Sequence, residues 1–237
     1  RISQYARTAA RGDTMGLSRR GFIQTVGIAT SAIATNKSAL AEQRPASDAD
    51  QQYAVLVDTV VCIGCRKCEW ACNDQNKLST HSMATYEDKS VFNQQRRPDH
   101  DAYTVVNEFS NPTVGTKRFT VKVQCMHCLQ PACASACIVG ALTKDARGPV
   151  VYDPWKCIGC RYCMIACPFQ IPAYEYQDAA SPEVKKCTFC LDRLNVGQKP
   201  ACVGICPNEA LTFGTRREMI DLARARIRHH PDRYVDH

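Results

Sequence analysis

Twelve consecutive residues constrain this chain more than any others: Cys157-Ile158-Gly159-Cys160-Arg161-Tyr162-Cys163-Met164-Ile165-Ala166-Cys167-Pro168. They spell C-x2-C-x2-C-x3-C-P, a spacing that holds cubane iron–sulfur clusters. Three thiols on one tight loop can face a single metal centre. The fourth lies too far round to join them, and where such runs come in pairs it ligates the partner's cluster. One run of this kind therefore asks for another facing it.

The chain supplies the partners. Its 237 residues contain sixteen cysteines, far above ordinary usage, and all fall into four groups of four with none left over. The first group is Cys62, Cys65, Cys68 and Cys72, with Gly64 where the third group has Gly159, and Asn73 where it has Pro168. Glycine, lacking Cβ, lets backbone amides come close to cluster sulfurs at these positions. The second group is Cys125, Cys128, Cys133 and Cys137, its middle spacing widened and Ile138 replacing the proline. The fourth is Cys187, Cys190, Cys202 and Cys206, closed by Pro207.

Between the second and third groups, Ala141-Leu142-Thr143 and Val150-Val151-Tyr152-Asp153 predict a short hairpin. The interval from Cys167 to Cys187 equals that from Cys137 to Cys157, so spacing alone leaves open whether the third group pairs with the second or the fourth. Pro168, Pro172 and Pro182, without a hairpin pattern, make the later interval read as a crossing linker. The second and third groups then form one unit, and the first and fourth pair across the chain. Tyr53–Asp58 and Ala210–Phe213 are β-type runs able to close that second unit. On this reading the run at 157–168 is a middle station in a row of four.

Residues 73–119 form a long insertion. Its first part, to Asp101, shows no periodicity and is expected to be irregular. Tyr103–Phe109 and Arg118–Val123 predict a hairpin with a longer loop. Such a segment is often functional, so a partner-facing surface is expected here, with a solvated decoration as the competing reading. Near the end, Thr215-Arg216-Arg217-Glu218 is a capping-box pattern. It predicts a helix from Arg216 to about His229, with Ile220, Ala223 and Ile227 on one face and Pro231 ending it.

At the N-terminus, Ser18-Arg19-Arg20-Gly21-Phe22-Ile23 precedes a mildly apolar stretch, Val26–Ala34, and then Ala39-Leu40-Ala41. Paired arginines, a short apolar run and a small-residue cleavage site, in that order, read as a twin-arginine export signal. The competing reading is two arginines before an amphipathic helix. Met15 is the expected start and the mature chain is expected to begin near Glu42. Export by this route implies a periplasmic protein whose clusters are assembled before it crosses the membrane.

The formal charge of +7 is concentrated in this segment, because the first 41 residues hold six of the 30 basic and one of the 23 acidic residues, leaving 24 against 22. Four cubanes, each about −2 with its thiolates when oxidised, would make the loaded protein acidic. Basic residues are scattered and form no aromatic-and-basic strip, which excludes a nucleic-acid reading.

Cubanes need soft, anionic ligands, and thiolate is both. Sixteen cysteines at four per cubane point to four [4Fe-4S] clusters. Zinc is the main structural alternative, since its sites use separated C-x2-C pairs, but only the fourth group could pass for one. A zinc- or disulfide-stapled interaction protein is therefore the reading from another class. Arg66, Lys67 and Arg161 lie inside the cysteine loops and could stabilise reduced clusters or merely be solvated. His127, between two ligands, reads as a hydrogen-bonded loop residue, and Trp70 and Tyr162 as packing. No dinucleotide fingerprint, P-loop or HExxH motif is present. Catalytic residues are thus expected to be absent, and the chemistry left is one-electron transfer.

These residues resemble the four-cluster, ferredoxin-type subunits of membrane-associated respiratory oxidoreductases, a group that includes the electron-transfer subunits of formate dehydrogenase, dimethyl sulfoxide reductase, polysulfide reductase and hydrogenase-2. The resemblance covers about residues 53–230. It rests on Gln124-Cys125-Met126-His127-Cys128, Cys157 to Met164, Lys186-Cys187-Thr188-Phe189-Cys190-Leu191-Asp192-Arg193, Pro200-Ala201-Cys202 and Phe213-Gly214-Thr215-Arg216.

The resemblance implies an α+β fold of two pseudo-symmetric bacterial ferredoxin-like dicluster modules with long insertions. The expected divisions are a signal segment at 1–41, an outer module from 53–72 plus 187–214, the insertion at 73–119, an inner module at 120–170, the linker at 171–186 and a C-terminal helix and tail at 215–237. It also implies interlocked ligation. Cys62, Cys65 and Cys68 would share a cluster with Cys206, and Cys187, Cys190 and Cys202 one with Cys72. Cys157, Cys160 and Cys163 would join Cys137, and Cys125, Cys128 and Cys133 would join Cys167. The implied partners are a catalytic subunit, [NiFe] hydrogenase or a molybdopterin enzyme, and a membrane quinone-reactive subunit. A signal on the iron–sulfur subunit itself favours the hydrogenase-2 type.

Overall fold

The structure, a computed structural model, describes residues 48–78, 81–110 and 118–234. The proposed signal at 1–41 and the loop at 111–117 lie outside the described residues.

Mixed short helices and small antiparallel sheets make up the fold. In chain order they are α1 (Asp48–Gln51), β1 (Tyr53–Val57), α2 (Lys67–Asn76), β2 (Thr104–Ser110), β3 (Arg118–Gln124), α3 (Ala132–Ser135), β4 (Leu142–Lys144), β5 (Val150–Tyr152), α4 (Tyr162–Ala166), β6 (Ala173–Tyr174), β7 (Val184–Lys185), α5 (Leu191–Asn195), α6 (Ala201–Gly204), β8 (Leu211–Thr215) and α7 (Arg216–His229), with short 3-10 turns between them. The strands pair as four two-stranded antiparallel ladders.

The ladder that spans the chain is β1 on β8, running from Tyr53 opposite Thr215 to Val57 opposite Leu211. Tyr53 and Phe213 pack ring to ring at 5.1 Å. This joins the segment before the first cysteine group to the segment after the last. The hairpin expected between the second and third groups is β4 on β5, Leu142 opposite Tyr152. Its turn docks on the β1 end, where the Tyr53 amide donates to the Arg147 carbonyl at 2.7 Å.

The interval between the third and fourth groups departs from the sequence expectation. It contains a two-residue hairpin, Ala173 opposite Lys185 and Tyr174 opposite Val184. Pro172 and Pro182 stand just before these strands, where a missing amide costs no ladder bond. Val184 packs into one small core with Leu142, Val150, Cys133 and Cys163.

The insertion is also more ordered than expected. Asn73, unlike the prolines after Cys167 and Cys206, allows α2 to run on past Cys72 to Asn76. Beyond it the chain folds back through 3-10 turns at Met83–Glu87 and Ser90–Asn93. The carboxylate of Glu69 on α2 then ties the insertion down. It accepts from Arg66 at 3.0 Å, from Arg96 at 2.6 Å and from the Val106 amide at 2.5 Å. Arg66 reaches on to the carbonyls of Tyr86 and Asp88. The Glu69 carboxylate thus ties the insertion to α2 through Arg66, Arg96 and the Val106 amide.

α7 begins as expected. The Thr215 hydroxyl accepts from the Glu218 amide, and the Glu218 carboxylate accepts from the Thr215 amide. Its buried residue, however, is Met219, and Ile227 is exposed. The helix packs along β1 and β8, and its later part is held by Arg226, which donates to Asp58 and Thr212.

Candidate metal centres

Each cysteine group begins on a loop of the same shape. Two residues after the first cysteine the backbone turns left-handed: Gly64 at φ 64°, His127 at 44°, Gly159 at 69° and Phe189 at 59°. A Cβ on Gly64 would come within 2.7 Å of Thr120, and one on Gly159 within 2.9 Å of the Tyr174 hydroxyl. The turn aims amides at sulfur. Gly159 N lies 3.4 Å from Cys157 Sγ and Phe189 N 3.4 Å from Cys187 Sγ. Ala141 N lies 3.1 Å from Cys137 Sγ.

The groups do not close on themselves. One recess is lined by Cys62, Cys65, Cys68 and Cys206. A second is lined by Cys72, Cys187, Cys190 and Cys202. A third is lined by Cys137, Cys157, Cys160 and Cys163. The remaining thiols are also neighbours, because Cys125, Cys128 and Cys133 lie within electrostatic reach of one another and Cys133 within reach of Cys167. Each of the three recesses takes three thiols from one group and the fourth from another.

These surroundings fit a four-thiolate cluster. All sixteen cysteines are free thiols. Among the described residues no three Cys, His, Asp or Glu side chains gather closely enough to hold a single metal ion. Four thiols lining one recess suit a cubane, in which each thiolate binds its own iron. Burial pushes Cys68 up to about 12 and Cys163, Cys187 and Cys190 up to about 11. Bare thiols here would stay protonated, so metal binding has to release those protons. His127 gives a further sign. Its Nδ1 accepts from the Val150 amide at 2.9 Å. The proton therefore sits on Nε2, which is buried with no protein acceptor. Burial, then Lys186, Lys144 and Lys122, hold its pKa well below the usual range. Cluster sulfides would be acceptors for that orphaned N–H.

Comparison with known proteins agrees. Residues 116–216 match the family of 4Fe-4S dicluster domains. The chain belongs with the ferredoxin-type iron–sulfur proteins. A protein of Nitratidesulfovibrio vulgaris is 48% identical over 224 residues, covering 93% of this chain and 60% of its own length. The nitrate-inducible formate dehydrogenase iron–sulfur subunit of Escherichia coli is 36% identical over 185 residues, 76% of this chain and 60% of its own. The hydrogenase-2 operon protein HybA of Shigella flexneri is 33% identical over 221 residues, 89% of this chain and 66% of its own. The chain thus spans roughly three-fifths of the length of the curated relatives it matches.

In this iron–sulfur protein electrostatic reach links the thiol sets pairwise. Cys68 of the first recess is near Cys202 of the second. Cys187 of the second is near Cys125. Cys133 is near Cys163 of the third recess. Cys160, in the third recess, is exposed.

Several side chains take roles that the sequence did not suggest. Arg66 is buried and neutralised by Glu69 rather than solvated. Arg161 lies over the rings of Tyr174 and Tyr176 at 5.7 and 5.8 Å. Tyr162 is exposed instead of packed. Lys122, missed altogether, is buried against the first recess. A strand with Phe119, Val121 and Val123 in one phase invites burial of that face, yet Thr120 and Lys122 point inward. The one hint is a lysine in strand phase two residues before Gln124-Cys125.

Proposed function

We propose that this protein is a periplasmic electron-transfer subunit holding four [4Fe-4S] clusters in two pseudo-symmetric modules. The observation that carries the reading is the interleaving of the groups: three recesses each lined by four thiols, three from one group and one from another. The proposed ligand sets are those recesses plus Cys125, Cys128, Cys133 and Cys167. The outer module combines 53–72 with 187–214, the inner one is 120–170, and β1–β8 and β4–β5 are their ladders. The clusters would supply one-electron redox chemistry. The chain's own part is to seat them, shield them from water and donate amide hydrogens to their thiolates.

Electrons would enter from a catalytic subunit at one end of the row and leave to a membrane quinone-reactive subunit at the other. The Cys160 end is surrounded in sequence by exposed Trp155, Ile158, Tyr162 and Ile165, which suits protein docking. Among the described residues no helix is long and apolar enough to cross a membrane. Membrane attachment would come through partners, and export through the twin-arginine pattern at Arg19-Arg20. A hydrogenase is the favoured catalytic partner, supported by that pattern and by the hydrogenase-2 operon relative. A molybdopterin enzyme is the second reading, supported by the formate dehydrogenase relatives.

Iron and acid-labile sulfide analysis of anaerobically purified protein tests the core of this reading. About sixteen irons per chain and matching sulfide are expected, four per cubane. Zinc at a few equivalents without sulfide would sink it. Purification of the native assembly and identification of its catalytic subunit separates the two partner readings.

A further inference from the structure

Lys122 stands between the first two recesses as a buried cation without a carboxylate. It lies on β3 opposite Val106, and only 7% of its surface is exposed. Strand alternation puts Thr120 and Lys122 on one side. The Thr120 hydroxyl donates to the Cys62 carbonyl at 3.1 Å, which seats this side on the first cysteine loop. One step along, Lys122 lines the recess of Cys62, Cys65, Cys68 and Cys206. Its ammonium donates to Gln124 Oε1. Gln124 in turn lines the second recess, and the Lys122 charge acts on the Cys72, Cys187 and Cys202 thiols there. Among the described residues it forms no ion pair with Asp or Glu.

A buried ammonium is expensive unless it is paired. Here the groups within reach are thiols of two different recesses, which become anionic when they bind iron. The loop arginine Arg66 also lines the first recess, but its guanidinium is engaged by Glu69 and by the Tyr86 and Asp88 carbonyls, and it does not line the second recess.

We propose that Lys122 is a shared counter-ion of the clusters seated in these two recesses and raises the reduction potentials of both. The inference rests on the four-cluster reading. Reduction adds one electron to a cluster and makes the cluster with its thiolates more negative by one charge. No bond breaks, and the reductant in the test is dithionite. A fixed buried cation favours the more negative state, and low surrounding dielectric strengthens the effect. Lys122 is thus a positioning charge and is not itself a ligand.

The test is a dithionite titration of the holoprotein followed by electron paramagnetic resonance, with iron content measured first. In Lys122→Met, two of the four midpoints are expected to fall by at least a factor of ten in the reduction equilibrium, about 59 mV for a one-electron couple. The other two are expected to hold. Lys156→Gln, next to Cys157 but with its side chain 59% exposed and paired with Asp153, is expected to leave all four in place. Full iron with unmoved or raised midpoints in Lys122→Met overturns the proposal. Wild-type iron far below about sixteen per chain, at four per cubane, overturns the four-cluster reading and the proposal with it. If Lys122→Met does not retain iron, Lys122→Arg decides. Iron and midpoints kept with the charge support the proposal, and iron lost again makes Lys122 a packing residue.

Discussion

Glu69 shows how much of this fold hangs on single buried side chains. Its carboxylate takes two arginines and a strand amide, and its side chain is 3% exposed. Removing one partner of a buried ion pair leaves the other uncompensated and costs about 3–5 kcal/mol. Glu69→Gln is therefore expected to lower stability by about that amount, because Arg66 stays buried beside it. Urea unfolding of the holoprotein followed by circular dichroism measures this. The sequence shows the Arg66–Glu69 spacing but not Arg96, which arrives from a segment with no periodic pattern. Lys122 is the same case in reverse: its neighbours in sequence are apolar, and only the packed structure reveals that its counter-charges are cysteines.

At the scale of elements, the cysteine loops are set by local chemistry and the insertion is not. Left-handed turns at Gly64 and Gly159 follow from residues that permit positive φ. The same turn at Phe189 and His127 is held against its steric cost by packing, since these two rings meet edge to face at 4.8 Å. The β4–β5 turn illustrates docking between elements. Asp145 accepts from the Arg147 amide and guanidinium, and Arg147 reaches Asn195 at 2.9 Å. The Arg147 hydrogen bond holds the Asp145 pKa below its ordinary value of 3.8, against the opposing pull of burial. A folded-state pKa below the unfolded one adds stability that is present above the unfolded value and disappears as pH falls through the folded one. Asp145→Asn is accordingly expected to melt below wild type at neutral pH, with the gap closing as pH drops below about 4. The difference is expected to be small, because the pair is partly exposed and screened. Melting curves of both proteins across pH check it, and a gap that widens in acid contradicts the assignment.

For the whole molecule, the decisive property is that three recesses are each lined by thiols of two cysteine groups. Cys167 lies near Cys133 of the preceding group rather than in its own group's recess. Cys167→Ser is expected to perturb the cluster of Cys125, Cys128 and Cys133 more than that of Cys157, Cys160 and Cys163. Electron paramagnetic resonance of the reduced variant distinguishes them, and the opposite pattern would refute the interlocked wiring. The order of the row and its exposed Cys160 end belong to this scale too. Sequence order puts the third group in the middle, whereas on the proposed wiring the electrostatic reach of Cys133 to Cys163 gives its cluster an end position.

What the sequence determined by itself is the chemistry and its local geometry. Soft anionic ligands at fixed short spacings, glycines at 64 and 159, and the β-type runs beside them follow from residue type and short-range sterics. These signals act over fewer than about a dozen residues, so they survive without knowledge of the fold. Tertiary structure alone decided which thiols share a recess, how the recesses line up and where a buried charge falls between them. Those outcomes depend on contacts between residues far apart in the chain, such as Tyr53 with Thr215 and Cys62 with Cys206. The twelve residues from Cys157 to Pro168 specify one cysteine loop. The thiol that completes its recess, Cys137, was brought there by the β4–β5 hairpin and the small core beneath it.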